Sequence, residues 1–217
     1  MVPIALPSQP DAPTRVTHTQ TSITLQWAPP ASDGDSEITS YILYAKADFE
    51  TSYSQIYAGL SLQYQATNLL TGFEYQFKVR AVNALGQSEA SAASTAILTA
   101  LKPSSPTGLT LTARSASQVS FEWKAPEDKG GIELSGFNIY MAEGSGTYEL
   151  VGSTPSSLNP TVTWHTHEDA LIAAAWYKFK VSAVNFVGES EITEGIEVIA
   201  ADVPEAPANP PTATLIT

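Results

Sequence analysis

The chain has 217 residues, 43% hydrophobic and 15% charged, with no cysteine. That composition suits one large or two ordinary globular domains, and it excludes disulfides, thiolate catalysis and cysteine-type zinc sites. A net charge of −12, from 22 acidic and 10 basic side chains, argues against nucleic-acid and anionic-lipid partners, which are held by Lys and Arg.

Divided near residue 101, the charge is −4 in the first part (4 basic, 8 acidic) and −8 in the second (6 basic, 14 acidic). The plain reading of this acidity is solubility and self-repulsion. No run approaches the roughly 18 apolar residues of a membrane helix, so membrane contact is expected only through parts of the chain not present here. The opening "MVPIALPSQPDAP" lacks the basic region and apolar length of a signal peptide. Asn159 precedes an x-Thr, but its x is Pro160, so no N-glycosylation acceptor is present.

In chain order the first strong pattern is "SITLQWAPP", where Ile23, Leu25 and Trp27 alternate with Thr24 and Gln26 until Pro29 and Pro30 end the run. Period two predicts a half-buried strand, and proline cannot donate to its ladder. The Pro/Asp/Gly-rich "PPASDGDSE" reads as a turn. Its Asp33, Asp35 and Glu37 are candidate calcium ligands, with an acidic turn as the default because the twelve-residue loop pattern is missing. Further strands follow at Tyr41, Leu43 and Ala45, at Leu62, Tyr64 and Ala66, and at Tyr75, Phe77, Val79 and Ala81. The last of these runs into "VRAVNALGQSE".

The same series then returns. Val119, Phe121 and Trp123 alternate in "QVSFEWKAP", Phe137, Ile139 and Met141 in "LSGFNIYMA", and Tyr177, Phe179, Val181 and Ala183 before "VSAVNFVGESE". The second copy carries six extra residues before its repeated phrase, placed in "GSTPSSLNPTVTW". In "WHTHEDALI", Glu168 is matched to Ala66, so this strand is expected to end early in a turn at "HEDA". His165, His167, Glu168 and Asp169 form a metal-capable set. The preferred reading is an exposed polar strand edge, because no third ligand is specified. The predicted class is all-β: two seven-stranded, immunoglobulin-like antiparallel sandwiches in tandem.

These landmarks resemble the fibronectin type III domain: Pro10 and Pro13, Trp27, the Pro-Pro-Asp-Gly loop, Leu69 with Tyr75, and "AVNALGQSE". They occur again as Pro103 and Pro106, Trp123, "APEDKGG", Leu171 with Tyr177, and "AVNFVGESE". The resemblance implies sheets A-B-E and C-C′-F-G, with a tyrosine corner at Tyr75 and Tyr177. Gly86 and Gly188 are expected at positive φ, and Asn83 and Asn185 bonded to loop backbone. The expected division is an extension over 1–9, domains over 10–101 and 102–202, and a tail over 203–217. That tail, with Pro204 and Pro207, reads as the possible first strand of a third domain.

No nucleophile elbow, phosphate loop or cofactor motif is present, so the expectation is a non-enzyme without cofactors. The Arg-Gly-Asp adhesion signal and the Trp-Ser-x-Trp-Ser of cytokine receptors are also missing. The candidate binding surface is the outer C-F face of the second copy, with Tyr140, Trp176 and Val184 beside Lys178 and Lys180. Packing against a loop or the neighbouring domain is the competing explanation for those residues. The expected role is a protein-binding or spacer fragment, monomeric, from a larger adhesion, receptor or scaffold protein at the cell surface or outside the cell. The alternatives are an accessory module of a secreted enzyme and an intracellular, sarcomere-like scaffold segment.

Overall fold

The computed structural model describes residues 4–155, 163–168 and 171–202, and among them every regular element is a strand. The first copy contains β1 (Thr14–His18), β2 (Ile23–Gln26), β3 (Ser40–Ala47), β4 (Ser54–Gly59), β5 (Gln63–Ala66), β6 (Glu74–Asn83), β7 (Gly86–Gln87) and β8 (Ile97–Leu98). The second repeats them as β9 (Thr107–Arg114), β10 (Val119–Lys124), β11 (Leu134–Glu143), β12 (Glu149–Pro155), β13 (Trp164–His167), β14 (Trp176–Asn185), β15 (Gly188–Glu189) and β16 (Ile196–Ile199).

Each copy builds two antiparallel sheets. The first has β1-β2-β5 and β4-β3-β6-β7, with β8 also on β6. The second has β9-β10-β13 and β12-β11-β14-β15, with β16 on β14. These are the A-B-E and C′-C-F-G orders, with the last strand split in two. The chain forms two compact units, built mainly from residues 1–103 and from 104–217.

Alternation buries one face of each sheet and leaves the other wet. In β6, Tyr75, Phe77, Val79 and Ala81 are buried; in β14, Tyr177, Phe179, Val181 and Ala183 are. Each unit has its own core. Trp27 (7% exposed) packs with Ile23, Leu25, Leu43 and Phe77, and Trp123 (3% exposed) with Val119, Phe121, Phe137 and Phe179. An edge-on ring meets each indole, Tyr41 at 6.2 Å and Phe137 at 5.3 Å, a geometry the aromatic quadrupole favours.

The tyrosine corners are present in both copies. Tyr75 Oη accepts from Leu70 N at 3.0 Å and Tyr177 Oη from Ile172 N at 2.8 Å. The repeated Asn ties three chain segments together. Asn83 donates to the Ala5 and Asp33 carbonyls at 2.7 and 2.8 Å, while its oxygen accepts from Leu85 and Gly86. Asn185 does the same with Leu101, Lys129, Val187 and Gly188. Gly86 and Gly188 close these turns at φ 146° and 149°, where a Cβ is unfavourable.

Between β7 and β8 the chain leaves strand geometry for a three-residue period. Ser88, Ser91 and Ser94 donate backbone N–H groups to the Ala81, Val79 and Phe77 carbonyls at 2.8, 2.9 and 2.9 Å. Their hydroxyl oxygens accept from the N–H groups of the same three residues, each at 3.0 Å. The side chain thus supplies the acceptor that a neighbouring strand's carbonyl supplies in a ladder. Ser190 and Thr193 repeat the device against Ala183 and Val181. A period of three is that of polyproline II.

The registers locate the extra residues. Tyr41 pairs with Gly59 and Gln26 with Gln63; their counterparts are Phe137 with Thr154 and Glu122 with Trp164. Gly59 and Gln63 are four apart and Thr154 and Trp164 ten apart, so six residues are added between β12 and β13; one more is added between β13 and Tyr177, and one fewer lies between β11 and β12, which leaves the net difference at six. The same registers correct one expectation. Ile23 pairs with Ala66 and Val119 with His167, so His167 and not Glu168 occupies the Ala66 position, and β13 runs as far as β5 does. Asp169, part of the "HEDA" segment, and the tail with Pro204 and Pro207 lie outside the described residues.

Candidate interaction surface

The histidine pair is not a polar strand edge. His167 is 5% exposed, and both rings turn inward: His165 lies 5.6 Å from Phe121 and His167 lies 5.7 Å from Phe179. The two imidazoles are 6.1 Å apart. The Nε2 atoms of both have no hydrogen-bond partner among the described residues. Burial first, and the neighbouring His167 ring second, hold His165 below the usual histidine pKa. No group of three metal-capable side chains occurs among the described residues. At the other acidic candidate, the Asp33 carboxylate accepts from Asp35 N at 3.0 Å and shapes the turn. Asp35 sits at φ 55° beside Gly34 at 77°.

The three residues proposed from sequence do not make one patch. Trp176 is 55% exposed and opens β14, pairing with Ile199. Val184 lies eight positions on, about 27 Å away at strand rise, and is half-buried. Tyr140 is also half-buried, and its hydroxyl donates to the Glu189 carboxylate, which accepts from Ser182 Oγ as well. Burial and then this carboxylate push the Tyr140 pKa up. Lys178 pairs with Glu197 at 2.9 Å, and Lys180 Nζ stands 4.9 Å over the Tyr148 ring. The cations of this face are answered by carboxylates or rings of the same unit.

The equivalent face of the first unit is different. Tyr44 on β3 pairs with Lys78 on β6, Ile42 with Arg80, and Lys46 with Gln76, so all three cations lie on one wet face. Tyr53, just before β4, takes Lys78 Nζ at 4.8 Å and Lys46 Nζ at 5.7 Å over its ring. Cations are drawn to that position by the ring's negative face. A concavity of about 440 Å³ is lined by Tyr44, Tyr53, Lys78, Arg80, Gln87 and Ala90. Arg80 donates to the Ser88 carbonyl at 2.8 Å. Among the described residues, Lys46, Lys78 and Arg80 form no ion pair.

The sequence alone points to the face of the second copy and not to this one. The available signal was the change from "GQSE" to "GESE" in the repeated phrase. Its meaning needs the fold, because only the structure shows that residue 189 reaches Tyr140.

Two segments, 8–97 and 104–199, match the fibronectin type III domain model. The chain is 30% identical over 190 residues to cardiac-type myosin-binding protein C of Gallus gallus, covering 86% of this chain and 14% of that protein. It is 30% identical over 214 residues to fibronectin type-III domain-containing protein 3A of Homo sapiens, covering 94% and 17%. It thus spans less than a fifth of either relative's length. A solved two-domain type III segment from chicken tenascin matches in fold, with a TM-score of 0.52 at 16% identity, covering 88% of this chain and 98% of that one. Twice-written strands, paired corners and matched segments agree: the chain belongs to the fibronectin type III family, as two copies in tandem.

Proposed function

We propose that this tandem is a non-catalytic, protein-binding segment of a longer intracellular scaffold. The observation that carries the reading is the wet face of the first unit, where Tyr44, Tyr53, Lys78 and Arg80 line a concavity, Lys46 stands on the same face, and none of the three cations has a carboxylate partner among the described residues. Interfaces favour this mixture of Tyr and Arg. The intracellular placement rests on the relative named for myosin binding, and the absence of cysteine and of a glycosylation acceptor fits it. A likeness in fold does not choose between an extracellular adhesion setting and this one.

Proximity labelling from the full-length protein tests this, comparing the native tandem with a foreign type III pair of matched length put in its place. The expected result is loss of a discrete set of labelled neighbours at unchanged protein abundance. An unchanged set reduces the tandem to a spacer. A set drawn from the secretory pathway overturns the intracellular placement.

A further inference from the structure

The two copies present the same outer face with its charges rearranged. Register carries Tyr44 onto Tyr140, because each lies opposite the equivalent position of the next strand, Gln55 and Leu150, beside a bulge. Lys78 falls on Lys180 and Arg80 on Ser182, counted from the equivalent corner residues Tyr75 and Tyr177. Both copies keep the lysine over a tyrosine, Lys78 on Tyr53 and Lys180 on Tyr148. The acids differ. Glu189 in the second copy is Gln87 in the first, and Glu197, one position before the partner of the corner tyrosine, is Ala96.

In the second copy the Glu189 carboxylate accepts from Tyr140 Oη and Ser182 Oγ at once. In the first copy those two donors become the Tyr44 hydroxyl and the Arg80 guanidinium, a stronger pair for an anion, while the in-chain carboxylate becomes an amide. Arg80 spends one bond on the Ser88 carbonyl, out of five N–H donors on a guanidinium. Three of the four basic residues before residue 102 gather here, in a stretch whose net charge is −4. The rest of that surface repels polyanions, so a large, uniformly charged partner is disfavoured and a short local carboxylate run is favoured.

We propose that the outer β3-β6 face of the first unit binds an acidic peptide segment of a partner protein. One of its carboxylates lodges between Tyr44 and Arg80 at the place Glu189 fills in the second unit, and a second lies along Lys78 and Lys46. The assignment deepens the protein-binding reading above and depends on it.

The test is a fluorescence-polarisation titration of the whole tandem with a labelled oligoglutamate peptide, using oligoglutamine as the uncharged control. Oligoglutamate should bind and weaken with added salt, and oligoglutamine should not bind. Gln87→Glu places the second copy's own carboxylate on this face and should reduce affinity about tenfold or more. It should leave the melting temperature unchanged, since the fold already accepts Glu at the equivalent position. Arg80→Gln should do the same, with amide resonance shifts on peptide addition confined to residues around Tyr44, Tyr53 and Arg80. Binding that is indifferent to Gln87→Glu and Arg80→Gln overturns the proposal, as does no binding at all. So does equal or tighter binding of a single-stranded oligonucleotide or of phosphatidylserine vesicles through the same residues. If the peptide fails while the foreign-pair exchange still removes labelled neighbours, this assignment falls and the protein-binding role stands on another surface.

Discussion

Trp123 and His165 show how single residues divide the work in the second core. Removing either indole, Trp27→Ala or Trp123→Ala, should cost about 3–5 kcal/mol, a large share of a small domain's stability. The loss should stay within the unit concerned, because the two tryptophans belong to separate clusters. Amide spectra of each variant check this, with dispersion lost for one set of resonances and kept for the other. His165 brings a pH dependence. Its pKa is lowered on folding, by burial first, so the unfolded chain binds its proton more readily. The associated stability is complete above the ordinary histidine value of about 6.5 and is lost as pH falls through that value toward the folded one. The melting temperature of the second unit should therefore fall between neutral and mildly acidic pH. His165→Leu should flatten that slope, and thermal unfolding followed at a series of pH values measures both. A slope unchanged in the variant rejects His165 as its source.

At the scale of elements, the period-two strands were legible because each buries one face, and the signal sits in the residues themselves: Phe77 inside, Lys78 outside. Two things were not legible. The serine run at 88, 91 and 94 has no hydrophobic period, since its function is to replace a backbone acceptor, and only the hydrogen bonds reveal it. The His167 register is not legible because the spacing to Tyr177 alone puts Glu168 at the Ala66 position, and nothing in the sequence shows that one added residue follows β13 before Tyr177. The structure also explains why imidazoles fit there. Leu25, Tyr57, Tyr64 and Ala66 of the first core correspond to Phe121, Gly152, His165 and His167 of the second. A tyrosine is exchanged for a glycine where leucine grows to phenylalanine and alanine to histidine, an exchange close packing requires. A Cβ on Gly152 would meet His165 Cε1 at 3.3 Å. For the serine run, Ser91→Ala leaves the buried Val79 N–H without its acceptor and should cost about 1–3 kcal/mol. Ser91→Thr should be tolerated, since Thr193 holds the equivalent place. Urea unfolding and hydrogen exchange at Val79 distinguish the two.

For the whole molecule, two closed cores predict two unfolding events. Calorimetry should resolve into separate transitions in Trp123→Ala, with the upper one matching the native first unit. A single cooperative transition in that variant would reject independent cores. The candidate surface belongs to this scale: the outer C-F face is wet in both copies, and the sequence points to the second, where Lys178 is paired with Glu197 and Tyr140 is bonded to Glu189. The serine run has one more consequence for a polypeptide that carries two similar sandwiches. Ser88, Ser91 and Ser94 also donate their hydroxyls to the Glu89, Ala92 and Thr95 carbonyls, so the free rim of the sheet presents groups at intervals of three, several already engaged. An incoming β-segment from a sibling domain needs intervals of two to zip on. Nascent neighbours are thereby denied a template for mispairing, a recurrent hazard for multidomain repeat proteins.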